Sequence, residues 1–155
     1  MIVQLSSHFT LDEMTQSDYA LRHGIDNTPS QDEVNALGAL CRITLEPIRT
    51  RVDAPVIITS GYRSPEVNKG IGGATTSQHM KGEAADFHVL GMSNLVTLKL
   101  IVHSPNPIPF DQAIYEFGED GWVHVSHSFA GQQRREVLRA YRGPDGKTVY
   151  EPFTV

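Results

Sequence analysis

Two histidines and one aspartate have the types and spacing that could hold a catalytic metal ion. His79 and Asp86 lie in the segment Ser-Gln-His-Met-Lys-Gly-Glu-Ala-Ala-Asp, and His124 follows far downstream in Trp-Val-His-Val. Two imidazole nitrogens and a carboxylate oxygen leave the fourth position of a tetrahedral zinc ion open for water. This ligand set favours hydrolytic chemistry over a structural metal site.

The elements predicted around these residues give their side chains a defined direction. Side chains alternate along a strand, so the residues on either side of Asp86 form an opposite, apolar face suited to the core. Asp86 then points to a face kept open by small residues. His124 lies mid-strand between two valines, where the backbone holds its ring more rigidly than a loop would. A glycine-rich loop, 70–76, precedes His79.

Each of these residues also has an ordinary structural interpretation. A single strand histidine is commonly a satisfied polar residue near the core edge, and a single buried aspartate commonly accepts backbone hydrogen bonds. Their combination with the glycine-rich approach favours a metal site. His88 shares the predicted face of Asp86 and is a further candidate, either as a substitute ligand or as a residue that contacts a ligand.

Size and composition indicate the class of protein. A chain of 155 residues is long enough for one domain, 1–155, with its own core. The net charge of -5 argues against a broad nucleic-acid surface, which needs clustered basic residues. The only cysteine, Cys41, falls on the apolar stripe of a predicted helix, so we expect it to pack in the core.

The sequence also bears on location. No apolar run approaches the roughly 20 residues that a membrane-spanning helix requires. The first residues lack the basic and apolar regions of a secretory signal. We therefore expect no membrane insertion, and we expect synthesis in the cytoplasm, with another route needed for any work outside it.

The order of predicted elements favours an α+β fold, because helices come first and a mostly antiparallel sheet comes last. The first helix is predicted to start with a capping box of Thr10 and Glu13. A long helix after Ser30 is expected to kink or end at Pro47, and another helix is predicted over 93–103. The predicted strands are 55–59, 83–89, 111–117, 122–127, 136–141 and 147–150, with a hairpin turn at 143–146.

Three separated blocks resemble the zinc D-Ala-D-Ala carboxypeptidase family, the M15-type peptidases of bacterial cell walls and phage lysis systems. The resemblance also extends over 8–29, covers nearly the whole chain and is nearest to the small single-domain phage and prophage subfamily. It implies a Hedgehog/DD-peptidase-like fold, with amino-terminal helices packed on a mostly antiparallel sheet. In chain order the blocks are Thr59-Ser60-Gly61-Tyr62-Arg63-Ser64, Ser77-x-His79-x-x-Gly82-x-Ala84-x-Asp86 and Trp122-Val123-His124-Val125.

The resemblance implies a role for each matching residue. One Zn²⁺ per chain would be bound by His79, Asp86 and His124, with water as the fourth ligand. Zinc can lower the pKa of bound water from about 15.7 to about 7, which makes water a nucleophile at neutral pH. Arg63 would hold substrate or polarise the scissile carbonyl, and Ser77 would line the metal pocket. Without the resemblance, Arg63 would be interpreted as a surface salt bridge and Ser77 as a loop hydrogen bond.

Two residues are candidates for the general base, Glu116 and Glu119. The position three residues before His124 is Gly121, which has no side chain to accept a proton. The length of the turn between the two strands decides the geometry. A four-residue turn puts the neighbour of Glu116 on the His124 side, whereas an odd number of residues puts Glu116 there. We favour Glu116, which belongs to a strand, and expect Glu119 to be solvated at a loop tip.

The predicted function is hydrolysis of peptidoglycan stem peptides by a zinc metallopeptidase. The target is either the terminal D-Ala-D-Ala bond, cleaved by a carboxypeptidase, or the L-Ala to D-Glu bond, cleaved by an endopeptidase. The resemblance further suggests a bacteriophage endolysin that reaches the cell wall through membrane lesions. The alternative is a non-catalytic module that binds the cell wall or builds a phage particle and keeps the fold without turnover.

Overall fold

A sheet of six strands organises the fold in the computed structural model, which describes residues 1–155. Its strands are β1 (Val56–Ser60), β2 (Ala84–Val89), β3 (Gln112–Glu116), β4 (Trp122–Ser126), β5 (Glu136–Arg142) and β6 (Thr148–Pro152). They lie in the order β1-β2-β4-β3-β5-β6. Neighbours are antiparallel except β3 and β5, which run parallel. The predicted α+β class with a mostly antiparallel sheet is confirmed.

Helices precede and connect the strands. The capping box predicted at Thr10 and Glu13 is present. Ser93 caps the last helix, since its hydroxyl accepts a hydrogen bond from the N–H of Val96. No helix is both long and apolar enough to cross a lipid bilayer. The helices are α1 (Leu11–Thr15), α2 (Asp18–His23), α3 (Gln31–Ala39), α4 (Glu46–Val52), α5 (Pro65–Gly70) and α6 (Asn94–Val102).

The long helix predicted after Ser30 does not end at Pro47. Instead, α3 continues through a π-helical segment, Leu40–Leu45, directly into α4. The N–H of Glu46 bonds to the carbonyl of Cys41, five residues back. This wider turn changes the hydrogen-bond register just before the proline, whose nitrogen has no hydrogen to donate.

One face of the sheet packs against the helices and forms the core. Phe87 of β2 and Val123 of β4 lie there with Leu37 of α3 and Leu98 of α6. Removing these side chains from water is the main favourable contribution to this packing. Cys41 is fully buried, and burial raises the pKa of its thiol to about 12. The packing role expected for this cysteine is confirmed.

Candidate metal centre

Asp86 and His124 meet on the other face of the sheet because they are register partners. They lie directly opposite each other on the antiparallel neighbours β2 and β4. Residues paired in this way point to the same face, here the one opposite the core residues Phe87 and Val123. Oδ1 of Asp86 is 2.9 Å from Nδ1 of His124, and both side chains are buried.

His79 joins this pair from a 3₁₀ turn, Gln78–Lys81. Ser77 caps the turn, since its hydroxyl oxygen accepts a hydrogen bond from the N–H of His79 at 3.3 Å. Nδ1 of the His79 ring lies 2.7 Å from the carbonyl oxygen of Gly61. A carbonyl only accepts, so Nδ1 carries the proton and Nε2 presents its lone pair. That Nε2 is 3.3 Å from Oδ1 of Asp86.

Gly61 provides this acceptor through a close approach of two backbone segments. It follows the end of β1, and the N–H of Tyr62 donates to the carbonyl of Met14 at 2.7 Å. A Cβ on Gly61 would lie 2.3 Å from that same carbonyl oxygen. Only glycine allows the two segments to come so close. The glycine of Ser-Gly-Tyr-Arg is therefore coupled to the orientation of His79.

Three donor atoms converge in a geometry suited to a metal ion. One ligand atom from each of His79, Asp86 and His124 lies within 4.8 Å of the other two. Ligands bonded at about 2.0–2.1 Å to a tetrahedral zinc ion lie about 3.4 Å apart. The distances from Oδ1 of Asp86 to the two imidazoles, 2.9 and 3.3 Å, are close to this value. The backbone acceptor on His79 is the kind of outer contact that orients metal-binding histidines, so these residues fit Zn²⁺.

The charges of the cluster favour metal binding. Burial alone would raise the pKa of Asp86, but the imidazoles of His79 and His124 outweigh it and lower that pKa. Burial lowers the pKa of His79, which keeps its ring neutral. Burial also opposes a charge on His124, but its hydrogen bond to Asp86 prevails and raises the pKa. Because a metal requires the neutral imidazole, binding at His124 would release a proton.

Arg63 holds the second oxygen of Asp86. Its Nη2 donates to Oδ2 at 2.9 Å, and its Nε donates to the hydroxyl of Ser60 at 3.0 Å. Ser60 is itself paired with Asp86 at the irregular end of β1. The Arg63 side chain is 14% exposed, so this ion pair is not the surface salt bridge that the residue type alone suggests. Nothing in the sequence around Arg63 identifies Asp86 as its partner.

Glu116 lies beside His124 on the same face of the sheet. It pairs with Trp122, so the loop 117–121 has an odd number of residues. Oε1 of Glu116 is 3.6 Å from Nδ1 of His124. The side chain is buried, and burial together with the charge of Asp86 raises its pKa to about 7. A carboxyl group with this pKa can accept and release a proton near neutral pH.

Two other candidates lie outside this group. His88 shares the strand face of Asp86, but it is exposed and does not belong to the set of three converging ligands. Glu119 caps the start of α6, because its carboxylate accepts hydrogen bonds from the N–H groups of Asn94 and Leu95 at 2.8 and 3.0 Å. Glu119 is exposed, as expected for a loop residue, and in addition it has this capping role, which the sequence did not predict.

Two of the proposed ligands, His79 and His124, open into a cleft of about 750 Å³. Ser77, His79, Glu116 and His124 all line it. The parallel pairing of β3 with β5, which brings the β5–β6 hairpin to this cleft, has no short-range signal in the sequence. The hairpin residues in the lining are Leu138, Arg142, Gly146, Lys147, Thr148 and Tyr150.

The residues of this site lie in a segment that matches a known protein family. The model of the family described as Peptidase M15 matches residues 7–126. The matched segment contains the three converging ligands together with Arg63 and Glu116. No curated protein matches the chain. Since the family match spans most of the sequence, the chain belongs to the Peptidase M15 family.

Proposed function

We propose that this protein is a zinc-dependent peptidase that hydrolyses peptidoglycan stem peptides. Membership in the Peptidase M15 family supports peptidase chemistry, and the convergence of His79, Asp86 and His124 supports a metal ion. The observation that carries the proposal is the position of Glu116, a buried carboxyl group 3.6 Å from a proposed metal ligand in the same cleft. Such an arrangement combines a metal site with a proton acceptor.

Glu116 would act as the general base and then as the general acid. When bound, Zn²⁺ would polarise the scissile carbonyl and lower the pKa of a water molecule. Glu116 accepts a proton from the water whose oxygen adds to the carbonyl carbon. It then donates that proton to the leaving nitrogen as the C–N bond breaks, which gives a carboxylic acid and an amine. In the metal-free protein, burial and the charge of Asp86 raise the pKa of this carboxyl group to about 7, within the range of general acids and bases.

Arg63 and Ser77 would orient the reacting groups. Arg63 lines the cleft, and its guanidinium has more N–H donors than its bonds to Asp86 and Ser60 use. The remaining donors are suited to a substrate carbonyl whose oxygen gains negative charge. Ser77 also lines the cleft, and it positions His79 by capping the turn on which that ligand lies.

The substrate and biological setting belong to the proposal. The D-Ala-D-Ala bond and the L-Ala to D-Glu bond are both candidates, corresponding to carboxypeptidase and endopeptidase activity. Assignment to peptidoglycan and to a bacteriophage endolysin rests on the sequence resemblance described above. Work on the cell wall would follow release of the protein from the cytoplasm.

Metal content and product analysis test the proposal together. Protein purified without chelators should contain about one zinc per chain, and chelation should remove zinc and hydrolysis together. Digestion of purified peptidoglycan should release either free D-alanine, which indicates the carboxypeptidase, or peptides with a new N-terminal D-glutamate, which indicate the endopeptidase. His124→Ala should lose both zinc and products. Wild-type protein that neither retains nor rebinds zinc and yields no product would favour the non-catalytic module.

A further inference from the structure

The β5–β6 hairpin contributes one wall of the cleft and lies outside the family match, which ends at residue 126. We propose that Arg142, Lys147 and Tyr150 on this wall form a subsite for a free carboxylate of the substrate peptide. This inference rests on the proposed peptidase function and deepens it. The subsite would select anionic peptides at a distance from the reacting bond.

The two cations of the wall have no acidic partner. Arg142 contacts the hydroxyl of Thr148 at 3.2 Å and the carbonyl of Gly146 at 3.4 Å, and its guanidinium lies 5.2 Å from the centre of the Phe117 ring. These contacts position the charge without neutralising it. Neither Arg142 nor the ammonium group of Lys147 forms a salt bridge, although both residues line the cleft.

Two other arginines of the same region have acidic partners. Arg139 pairs with Glu151, and Arg134 pairs with Asp111. Arg139 and Arg142 are three positions apart on β5, so their side chains lie on opposite faces of the strand. Arg135 also lacks an acidic partner, but its guanidinium donates to the carbonyl of Ile108 and it does not line the cleft. Within the hairpin itself, 136–152, the cations without an acidic partner are Arg142 and Lys147, and both line the cleft.

Tyr150 places a hydroxyl group on the same wall. The sheet register aligns Glu116 of β3 with Ala140 of β5, and Ala140 with Tyr150 of β6. The small Ala140 leaves space above the sheet between the two larger side chains. The Tyr150 hydroxyl makes no hydrogen bond within the protein, and burial together with the charges of Glu116 and Asp86 raises its pKa. It therefore stays protonated and can donate to an anion.

A carboxylate fits these groups better than a neutral peptide does. Two cations and one O–H donor match the acceptor-only character of a carboxylate. Arg142, Lys147 and Tyr150 are all exposed, and exposed ion pairs of this kind are expected to change affinity by about tenfold together. In a stem peptide, the carboxylate can come from the free α-carboxyl of a γ-linked glutamate or from the peptide's C-terminus. Both offer the same chemistry to the hairpin.

Binding of three synthetic stem peptides to zinc-loaded Glu116→Gln protein tests the subsite without turnover. One peptide keeps both carboxylates, the second has a carboxamide at the glutamate, and the third has a carboxamide at the C-terminus. Calorimetric titration should show about tenfold weaker binding of one amidated peptide. The weaker peptide identifies which carboxylate the hairpin binds.

Substitutions of hairpin residues in the Glu116→Gln background test whether the hairpin causes the difference in peptide affinity. Arg142→Gln with Lys147→Gln should reduce it to less than about twofold, and Tyr150→Phe should reduce it in part. Arg139→Gln, a matched control, should preserve it. Equal affinities for all three peptides, or a difference that persists in the double variant, would overturn the subsite.

Hydrolysis of whole peptidoglycan by the wild-type protein separates this inference from the proposed function. Hydrolysis accompanied by equal peptide affinities would contradict the subsite and leave the peptidase intact. An affinity difference that depends on Arg142 and Lys147, without any hydrolysis, would support the subsite and contradict the peptidase.

Discussion

Nη2 of Arg63 lies 2.9 Å from Oδ2 of Asp86, while the other oxygen of the same carboxylate lies toward the two imidazoles. The arginine thus determines which oxygen Asp86 presents to a metal ion. A second hydrogen bond to Ser60 fixes the guanidinium in this position. Arg63 therefore has a role in ligand orientation in addition to the substrate role proposed for it.

Arg63→Gln should weaken zinc binding by about 10- to 100-fold, because contacts to a metal ligand contribute on that scale. Turnover should fall as well, because the guanidinium lines the cleft. Competition with a chromophoric chelator measures the zinc affinity, and Arg22→Gln on the exposed surface of α2 is the control. Unchanged zinc affinity with reduced turnover would limit Arg63 to substrate binding.

Asp86 and Arg63 show which features of the site can be predicted from the sequence and which cannot. Alternation along one strand predicts the face of Asp86 from nearby residues alone, and the structure has that face. The contact of Arg63 depends instead on a register shift in β1 between Ile58 and Ser60, which brings Ser60 opposite Asp86. No local pattern encodes such a shift, so the sequence predicts Arg63 as a site residue but not its contact with Asp86.

Gly61→Ala should disturb the metal centre, although Gly61 is not itself a proposed ligand. The new Cβ would lie 2.3 Å from the carbonyl oxygen of Met14, so the end of β1 must move, and His79 loses its fixed acceptor. We expect zinc affinity to fall at least about tenfold and the free energy of unfolding to fall by about 1–3 kcal/mol. Chelator competition and urea unfolding of the metal-free protein measure the two effects. Lower stability with unchanged zinc affinity would separate Gly61 from the orientation of His79.

Glu116→Gln should lower kcat by about 10²- to 10⁴-fold while zinc binding is retained, because the amide cannot transfer the proton. Glu119→Gln is the matched comparison. It should leave kcat nearly unchanged but lower the free energy of unfolding by about 1 kcal/mol, because it weakens the cap of α6. Steady-state kinetics, zinc analysis and urea unfolding give the three measurements. The reverse pattern, with turnover lost only in Glu119→Gln, would exchange the two roles.

The different environments of these two glutamates were only partly open to prediction. Strand alternation shows that Glu116 faces His124 only if the loop has an odd number of residues. No local sequence pattern fixes the residues at which pairing of the two strands ends and begins. The cap provided by Glu119 joins residues 25 positions apart in the chain. Long-range contacts of this kind follow from the packing of α6 against the sheet, which the order of elements does not specify.

The raised pKa of Glu116 predicts a pH effect on the stability of the metal-free protein. Its pKa rises from 4.5 to about 7 on folding, so the folded state binds the proton more tightly. The stability that this group contributes is complete below about pH 4.5 and is lost as the pH rises through about 7. Relative to Glu116→Gln, the wild type should therefore lose stability between pH 5 and pH 8. Urea unfolding in chelator at both pH values measures this difference, and a constant difference would contradict the shift.

Gly121 explains why the base does not lie three residues before His124. A Cβ on Gly121 would lie 1.8 Å from the carbonyl oxygen of Glu116, so the loop 117–121 folds back too tightly for a side chain at that position. Gly121→Ala should push the loop away from Glu116 and lower both kcat and the free energy of unfolding, the latter by about 1–3 kcal/mol.

A second variant tests whether position 121 can carry the base at all. Gly121→Glu in a Glu116→Gln background should not restore turnover, because a side chain there must displace the backbone of β3 before it can approach His124. Kinetics of the single and double variants, with zinc content as the control for an intact centre, measure the effect. Recovered turnover in the double variant would show that the loop can rearrange to place a base at position 121. The steric explanation for the absence of a base there would then be wrong.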